Sequence, residues 1–487
     1  MKILFAASEM TPYAKTGGLG DVVGALAGEL SRRGHEVTCC VPFYRCARES
    51  AGRAKRIGVR LRIPLGSFTV SGEVVELKQR DGVRVWFVRC DEFFDRAELY
   101  YDGVRDYADN AERFLFFSKA VVELMGAGGA GAEVVHCHDW QTAFVPVAMR
   151  QGAARGGAGF GVKTVLTIHN LAYQGIFPAE DFALTNLGGE MFAPAAALEF
   201  YGWMNLLKGG IVFADTITTV SRRYAEEMLT AAEGCGLEPV LATRAEDLHG
   251  IVNGVDYGRW NPATDRHLRQ RYGVEELAGK GVCREDLVRR VGLVNRLDSA
   301  RISETQLVAG FVSRLTEQKG VEVLAGAMEG LVGLGVRVVV LGRGERKYEE
   351  VLTNVAARFP GRVVVKIGHD EPLAHQIQGG ADLLLMPSRF EPCGLTQLYA
   401  LKYGTIPVVH ATGGLDDTIR QYNPRSGAGT GFKFASYTSA ALVAAVHQAI
   451  LLHKQPKKWQ KLMRHAMACD FSWQASAKEY ETLYAAP

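Results

Sequence analysis

The nine cysteines of this 487-residue chain include no C-x-x-C pair and make an odd total. That pattern argues against a disulfide framework and fits a reducing compartment. Excess charge is missing too: the net value is +3, so no general basic field points to nucleic acid, and any anionic partner must be met by local basic groups. Long apolar runs are absent. The best helical candidate, residues 440–452, is interrupted by His447-Gln448 and is too short to span a bilayer. The opening run Met1 to Ser8 is too short for a signal peptide and ends at Glu9, so it reads as a first strand. There is no sequence repeat, and no low-complexity tract beyond a Gly/Ala run at 126–132. These absences predict a cytoplasmic protein with neither a membrane nor a nucleic acid as partner.

What is present is a hydrophobic content of 47% against 22% charged residues, enough to bury a sizeable core, over a length that suits two large domains. The first strand leads into a glycine-bearing loop and an apolar-periodic stretch, 21–30, stopped by Gly34; strand, loop and helix open a doubly wound sheet. Further strands are predicted at 36–41, 133–140, 163–170, 215–221 and 249–255, with a β insertion from about 46 to 90 and a long amphipathic helix over 109–125. Three of these strands end in polar residues, His138-Asp139, His169-Asn170 and Ser221, where a doubly wound fold builds its site. A second series follows at 307–312, 336–341, 363–367, 383–386 and 406–409, and a last helix without a strand begins at 472. Two such series predict an α/β protein of two Rossmann-like domains facing across a central cleft.

The chemistry gathers on three turns. Residues 387–397 join a buried strand to a helix closed by Gly404, and they carry a lone carboxylate, Glu391; its alternative role is that of a helix cap. Pro392 restricts and Gly394 frees the backbone there, and the N–H groups of residues 394–396 are read as opening the helix toward an anion. The loop Lys15-Thr16-Gly17-Gly18-Leu19-Gly20-Asp21-Val22-Val23-Gly24 comes close to a dinucleotide fingerprint, but its last spacing is one residue long. The second strand ends Cys39-Cys40-Val41-Pro42, without the carboxylate a ribose needs, which disfavours a nicotinamide-dependent oxidoreductase. Lys15 and Gly18 suit instead a phosphate approaching a helix N-terminus. Arg314 and Lys319 flank the corresponding turn of the second series and could neutralise a diphosphate. His136 and His138 share one strand face, but no second ligand pair stands nearby, so no metal is expected there. His169 is placed for substrate contact, and a hydrogen-bonded core histidine is the equally weighted alternative.

The set Lys15 to Asp21, His138-Asp139-Trp140-Gln141, the run from Thr167 to Gly175, Asn253-Gly254-Val255-Asp256, Ser313-Arg314-Leu315 with Lys319-Gly320, and Ser388 to Leu398 resembles the bacterial glycogen synthases and plant starch synthases. The likeness covers essentially the whole chain, with the motifs in the family's order. It implies the GT-B fold: an N-terminal domain of residues 1–254, a nucleotide-sugar domain of 255–471, and a C-terminal helix of 472–487 crossing back to the first. It also implies retaining transfer of glucose from ADP-glucose to the non-reducing end of an α-1,4-glucan such as glycogen, with no cofactor and no metal. Carried over by motif, Lys15 and Gly18 lie beside the donor phosphates, Arg314 and Lys319 hold the diphosphate, and Glu391 lies at the glucosyl and ribosyl region. Cys393, Gly394, Leu395 and Thr396 meet phosphate and sugar, His169 contacts the glucosyl group, and Asp21, Asp139, Asn170 and Asn253 line the sugar side. Where many relatives carry a tyrosine stacked on adenine this chain has His369, a smaller platform that predicts weaker or more pH-sensitive nucleotide binding. Donor choice rests on the resemblance alone, and a related GT-B enzyme using UDP-glucose or another acceptor is the nearest rival. A non-catalytic sugar-binding protein of this architecture would usually be exported.

Overall fold

A computed structural model describes residues 1–52, 54–126, 131–154, 161–293 and 306–486. The chain forms two compact units, Met1–Gly254 with Trp473–Pro487, and Val255–Ser472.

In the first unit the strands of the main sheet are β1 (Lys2–Ala6), β2 (Glu36–Pro42), β3 (Lys55–Leu65), β4 (Phe68–Lys78), β5 (Arg84–Arg89), β6 (Val134–His138) and β7 (Lys163–Ile168). After a small antiparallel sheet of β8 (Ile176–Phe177), β9 (Glu199–Phe200) and β10 (Trp203–Asn205), the main sheet ends with β11 (Thr216–Thr219) and β12 (Leu248–Gly250). The spatial order is β12-β11-β7-β6-β1-β2-β5-β4-β3, all parallel except the β3–β4 hairpin beside β5. The apolar run of β1 is unbroken because both of its faces are covered. Leu4 and Ala6 join the core under Phe114 and Phe117 of the helix Asn110–Gly126, while Ile3 and Phe5 join the core under Leu19 and Leu26 of the helix Gly18–Arg32. The helix Trp473–Ala485 completes that second face, adding Trp473, Tyr480 and Tyr484.

The second unit holds a six-stranded sheet of β13 (Val308–Val312), β14 (Arg337–Gly342), β15 (Val363–Ile367), β16 (Leu383–Met386), β17 (Ile406–His410) and β18 (Phe432–Phe434). All are parallel, in the order β15-β14-β13-β16-β17-β18. Alternation again splits each central strand: Ala309 and Phe311 face one core, Val308 the other with Leu373 and Ile377. In both units the strand order reverses beside the first strand, between β1 and β6 and between β13 and β16. There the loops leaving neighbouring strands diverge and open a crevice at the carboxyl ends.

Two spans differ from the sequence reading. The strand expected over 249–255 is only β12, because the chain leaves the ladder after Ile251 donates to the Thr219 carbonyl at 2.8 Å. The helix read as opening at residues 394–396 starts at Thr396, since Gly394 takes a left-handed conformation (φ 72°) that a helix cannot include.

Candidate active site

In the first unit the turn after β1 is built around a carboxylate that sequence reasoning passed over. Glu9 is buried at 4% exposure and accepts from the Thr16 N–H (2.7 Å), the Gly17 N–H (3.3 Å), the Thr16 hydroxyl (2.7 Å) and the Tyr100 hydroxyl (2.7 Å). These bonds fix the loop that carries Lys15 and delivers Gly18 as the first residue of its helix. Gly17 precedes the helix with no side-chain cap, so the positive end of the helix is left to an outside anion. Asp21, in the first turn, takes the Lys15 ammonium at 2.5 Å and the Thr11 hydroxyl at 3.0 Å. Lys15 is thus held over the helix N-terminus while its side chain keeps 43% exposure.

The exits of β6 and β7 supply the other wall. Asp139 adopts a left-handed backbone (φ 56°), and its N–H donates to the Thr167 carbonyl at 2.9 Å. That strained turn points its carboxylate at the neighbouring strand exit, where Oδ1 accepts the His169 N–H at 2.6 Å. Burial pushes the Asp139 carboxyl up to about 7, against the pull of the His169 and Asn170 backbone N–H groups. His169 Nε2 is hydrogen-bonded to His138 Nδ1 at 3.0 Å. Behind them, His136 is held by the Tyr484 hydroxyl (2.7 Å) and the Thr167 hydroxyl (2.6 Å). Burial holds His169 and His136 down at about 3 and His138 well below the usual imidazole range. The three rings therefore form a polar but uncharged wall. The Asn170 side chain accepts from the Ala172 N–H at 3.1 Å, closing its own turn. Asn253 is buried, and its Oδ1 has no hydrogen-bond partner among the described residues.

In the second unit the exits of β13 and β16 meet. Lys319 Nζ lies 2.5 Å from Glu391 Oε2, with side-chain exposures of 15% and 6%, and Ser388 Oγ donates to the same oxygen at 3.1 Å. Sequence reasoning treated Lys319 and Glu391 as separate groups, one for phosphate and one for sugar; the structure makes them one buried ion pair. The ammonium keeps further N–H donors for an anion. Arg314 engages Gln318 Oε1 at 3.4 Å. The turn is this tight because Gly320 is left-handed (φ 69°), and a Cβ there would overlap the Pro387 carbonyl oxygen. Around Glu391 the backbone is tied down: its carbonyl accepts the Gly414 N–H at 2.9 Å, and Gln397 Nε2 donates to the Cys393 and Gly394 carbonyls at 2.9 Å each. Leu395 precedes the helix Thr396–Lys402 without a side-chain cap, which again leaves backbone N–H groups for an anion. His369 is exposed on the turn between β15 and the helix Glu371–Gly380, whose N-cap is Asp370.

Within each unit, then, the predicted residues cluster: Lys15, Gly18 and Asp21 on one turn, Asp139, His169 and Asn170 on two adjoining exits, and Lys319 with Glu391 in contact. Glu9, Ser388 and Gln397 were missed. Ser388 and Gln397 lay within a motif already singled out, whereas Glu9 was legible only as a carboxylate ending an apolar strand.

Residues 2–243 match the family described as the starch synthase catalytic domain, and residues 296–465 match glycosyl transferases group 1. A glycogen synthase of Anaeromyxobacter sp. (strain Fw109-5) is 45% identical over 99% of both chains. One from Koribacter versatilis (strain Ellin345) is 44% identical over 99% of this chain and 98% of its own. Among solved structures, the catalytic domain of starch synthase IV from Arabidopsis thaliana, bound to ADP and acarbose, superposes with a TM-score of 0.88 at 32% identity, covering 99% of this chain and 98% of that one. A sucrose-phosphate synthase from Thermosynechococcus elongatus, at 16% identity and a TM-score of 0.62, shares the fold alone.

Proposed function

The chain belongs to the glycogen synthase and starch synthase family of GT-B glycosyltransferases, and on that premise we propose that it moves glucose from ADP-glucose to the non-reducing end of an α-1,4-glucan, glycogen, with retention. The observation that carries this reading is the grouping of Arg314, Lys319 and Glu391 on the adjacent exits of β13 and β16, at the strand-order reversal of a six-stranded parallel sheet. Cleaving a glycosyl phosphate builds negative charge on the departing diphosphate. Fixed cations and uncapped helix ends that meet that charge contribute most in the transition state. Arg314 and Lys319, with the Thr396 helix end, take the diphosphate; the Lys319 contact holds the Glu391 carboxylate in one rotamer to orient the sugar. In the first unit, Lys15 and Gly18 form a turn of the same kind, suited to a phosphate at a helix N-terminus.

Positive charge grows on the transferring glucosyl carbon, and the uncharged state of His169 matters there. A neutral imidazole can hydrogen-bond a sugar hydroxyl without opposing that charge. Asp139, Asn170 and Asn253 supply further acceptors; the orphaned Asn253 Oδ1 suits a sugar hydroxyl as its missing donor. Among the described residues no side chain stands out as a nucleophile. The reading is therefore a same-face displacement: the acceptor hydroxyl oxygen bonds to the anomeric carbon as the carbon–phosphate oxygen bond breaks, and the leaving phosphate oxygen takes the hydroxyl proton. The nine free thiols suit the cytoplasm. The test is to mix protein, ADP-glucose and glycogen, measure ADP released against glucose incorporated, and read the new linkage by NMR. Equal amounts and an α linkage are expected. A glucosyl–protein adduct trapped and seen by mass spectrometry would overturn the same-face step.

A further inference from the structure

We propose that the second unit carries a divalent-cation site of the zinc class, formed by His267, Glu371 and His375. One ligand-capable atom from each of these side chains lies within 4.8 Å of the other two. Glu371 and His375 are one turn apart on the helix Glu371–Gly380, so they share a face, and His267 approaches from the connection that precedes the sheet.

The arrangement behind His375 is the one a metal ligand needs. Its Nδ1 lies 2.7 Å from the Asp265 carboxylate, which also accepts the Tyr403 hydroxyl at 2.5 Å and the His267 N–H at 2.8 Å. A carboxylate on Nδ1 fixes the proton there and leaves Nε2 as a bare lone pair. That Nε2 is buried, on a side chain of 2% exposure, and has no hydrogen-bond partner among the described residues. Glu371 Oε1 lies 3.9 Å from it. The Trp260 ring stacks on the imidazole at 3.8 Å and within 3° of parallel, holding its plane. Two imidazoles and one carboxylate, with a second carboxylate behind an imidazole, make a donor set that zinc takes with positions to spare for water.

Two arginines stand in competition. Arg259 Nη2 holds Glu371 Oε1 at 2.8 Å, and Arg266 Nε lies 3.4 Å from His267 Nε2. The Arg259 side chain is 42% exposed and can swing into water when a cation arrives. A bound ion would tie the connection carrying His267 to the helix that follows His369, and so stiffen the second unit.

The experiment is equilibrium dialysis of the full chain against Zn²⁺, with Co²⁺ absorption as a second probe. Wild type should take up a zinc ion that His267→Ala and Glu371→Gln bind at least about tenfold more weakly. Arg259→Ala removes the competitor and should bind more tightly, an outcome that a purely structural role for the cluster does not give. Zinc should also raise the unfolding temperature of wild type but not of the two ligand variants. Exposed Cys46 and Cys235 can take up zinc unspecifically. Equal uptake by wild type and both ligand variants, or no uptake at all, overturns the proposal.

Discussion

Replacing Lys319 by methionine removes one charge and keeps the length of the side chain. The variant leaves Glu391, at 6% side-chain exposure, with Ser388 Oγ at 3.1 Å as its remaining side-chain donor. Breaking a buried pair costs about 3–5 kcal/mol, and the lower end applies because Lys319 itself keeps 15% exposure. Catalysis should lose a further 2–4 kcal/mol or so of transition-state stabilisation, which is about 30- to 1000-fold in kcat/KM. The two losses separate in a double variant. Lys319→Met with Glu391→Gln has no unpaired buried charge, so its unfolding midpoint should recover much of the deficit while its turnover stays low. The assay is ADP release from ADP-glucose with glycogen, run well below the unfolding midpoint, beside thermal unfolding of all three proteins. Wild-type kcat/KM in Lys319→Met would refute the reasoning. So would a loss confined to the KM for glycogen, which would make this pair an acceptor contact.

Four further outcomes follow from the site's geometry. With its carboxyl at about 7 in place of 3.8, Asp139 contributes stability that is full below about pH 4 and lost as pH rises through about 7. Asp139→Asn should therefore gain stability at about pH 8 relative to about pH 5 in urea unfolding, and an equal difference at both would contradict this. His136 and His169, at about 3 in place of 6.5, act the other way: their contribution is full above about 6.5 and is lost as pH falls toward 3, so replacing them with asparagine should weaken the loss of stability between about pH 6.5 and 3 in acid titrations of unfolding, and an unchanged acid slope would contradict this. Gly320→Ala should cost more than about 2 kcal/mol, from the left-handed backbone and the collision with the Pro387 carbonyl, and lower the unfolding midpoint by several degrees; an unchanged midpoint would mean that the turn relaxes. His369→Tyr should tighten ADP binding by about 2- to 12-fold, the range of an aromatic stacking contact, and unchanged calorimetric affinity would remove His369 from the adenine contact.

Strands were legible where burial is two-sided. The run at Leu383–Met386 was read at its observed bounds, because a parallel strand covered on both faces leaves a continuous apolar signal; Val363–Ile367, at the sheet's edge with Lys366 and Ile367 exposed, was read at its bounds from its β-branched run. β18, only three residues long at the sheet's edge, left none and was missed, as were the two- and three-residue strands β8 to β10. The polar residues read at strand ends do lie together on adjoining exits, where the strand order forces neighbouring loops apart. Pairings across long separations were not legible. The partners Lys319 and Glu391 are 72 residues apart, and Glu9 and Tyr100 are 91 apart. No local periodicity encodes such contacts; they follow from which strands become neighbours. The neutral histidine wall depends on burial, which spacing alone does not give.

The most direct test of the account is a donor comparison with glycogen as acceptor: kcat/KM for ADP-glucose against UDP-glucose, measured as nucleoside diphosphate released and glucose incorporated. The account predicts efficient elongation from ADP-glucose and a marked preference over UDP-glucose. Equal or greater use of UDP-glucose, or nucleotide release without growth of the glucan, would contradict it.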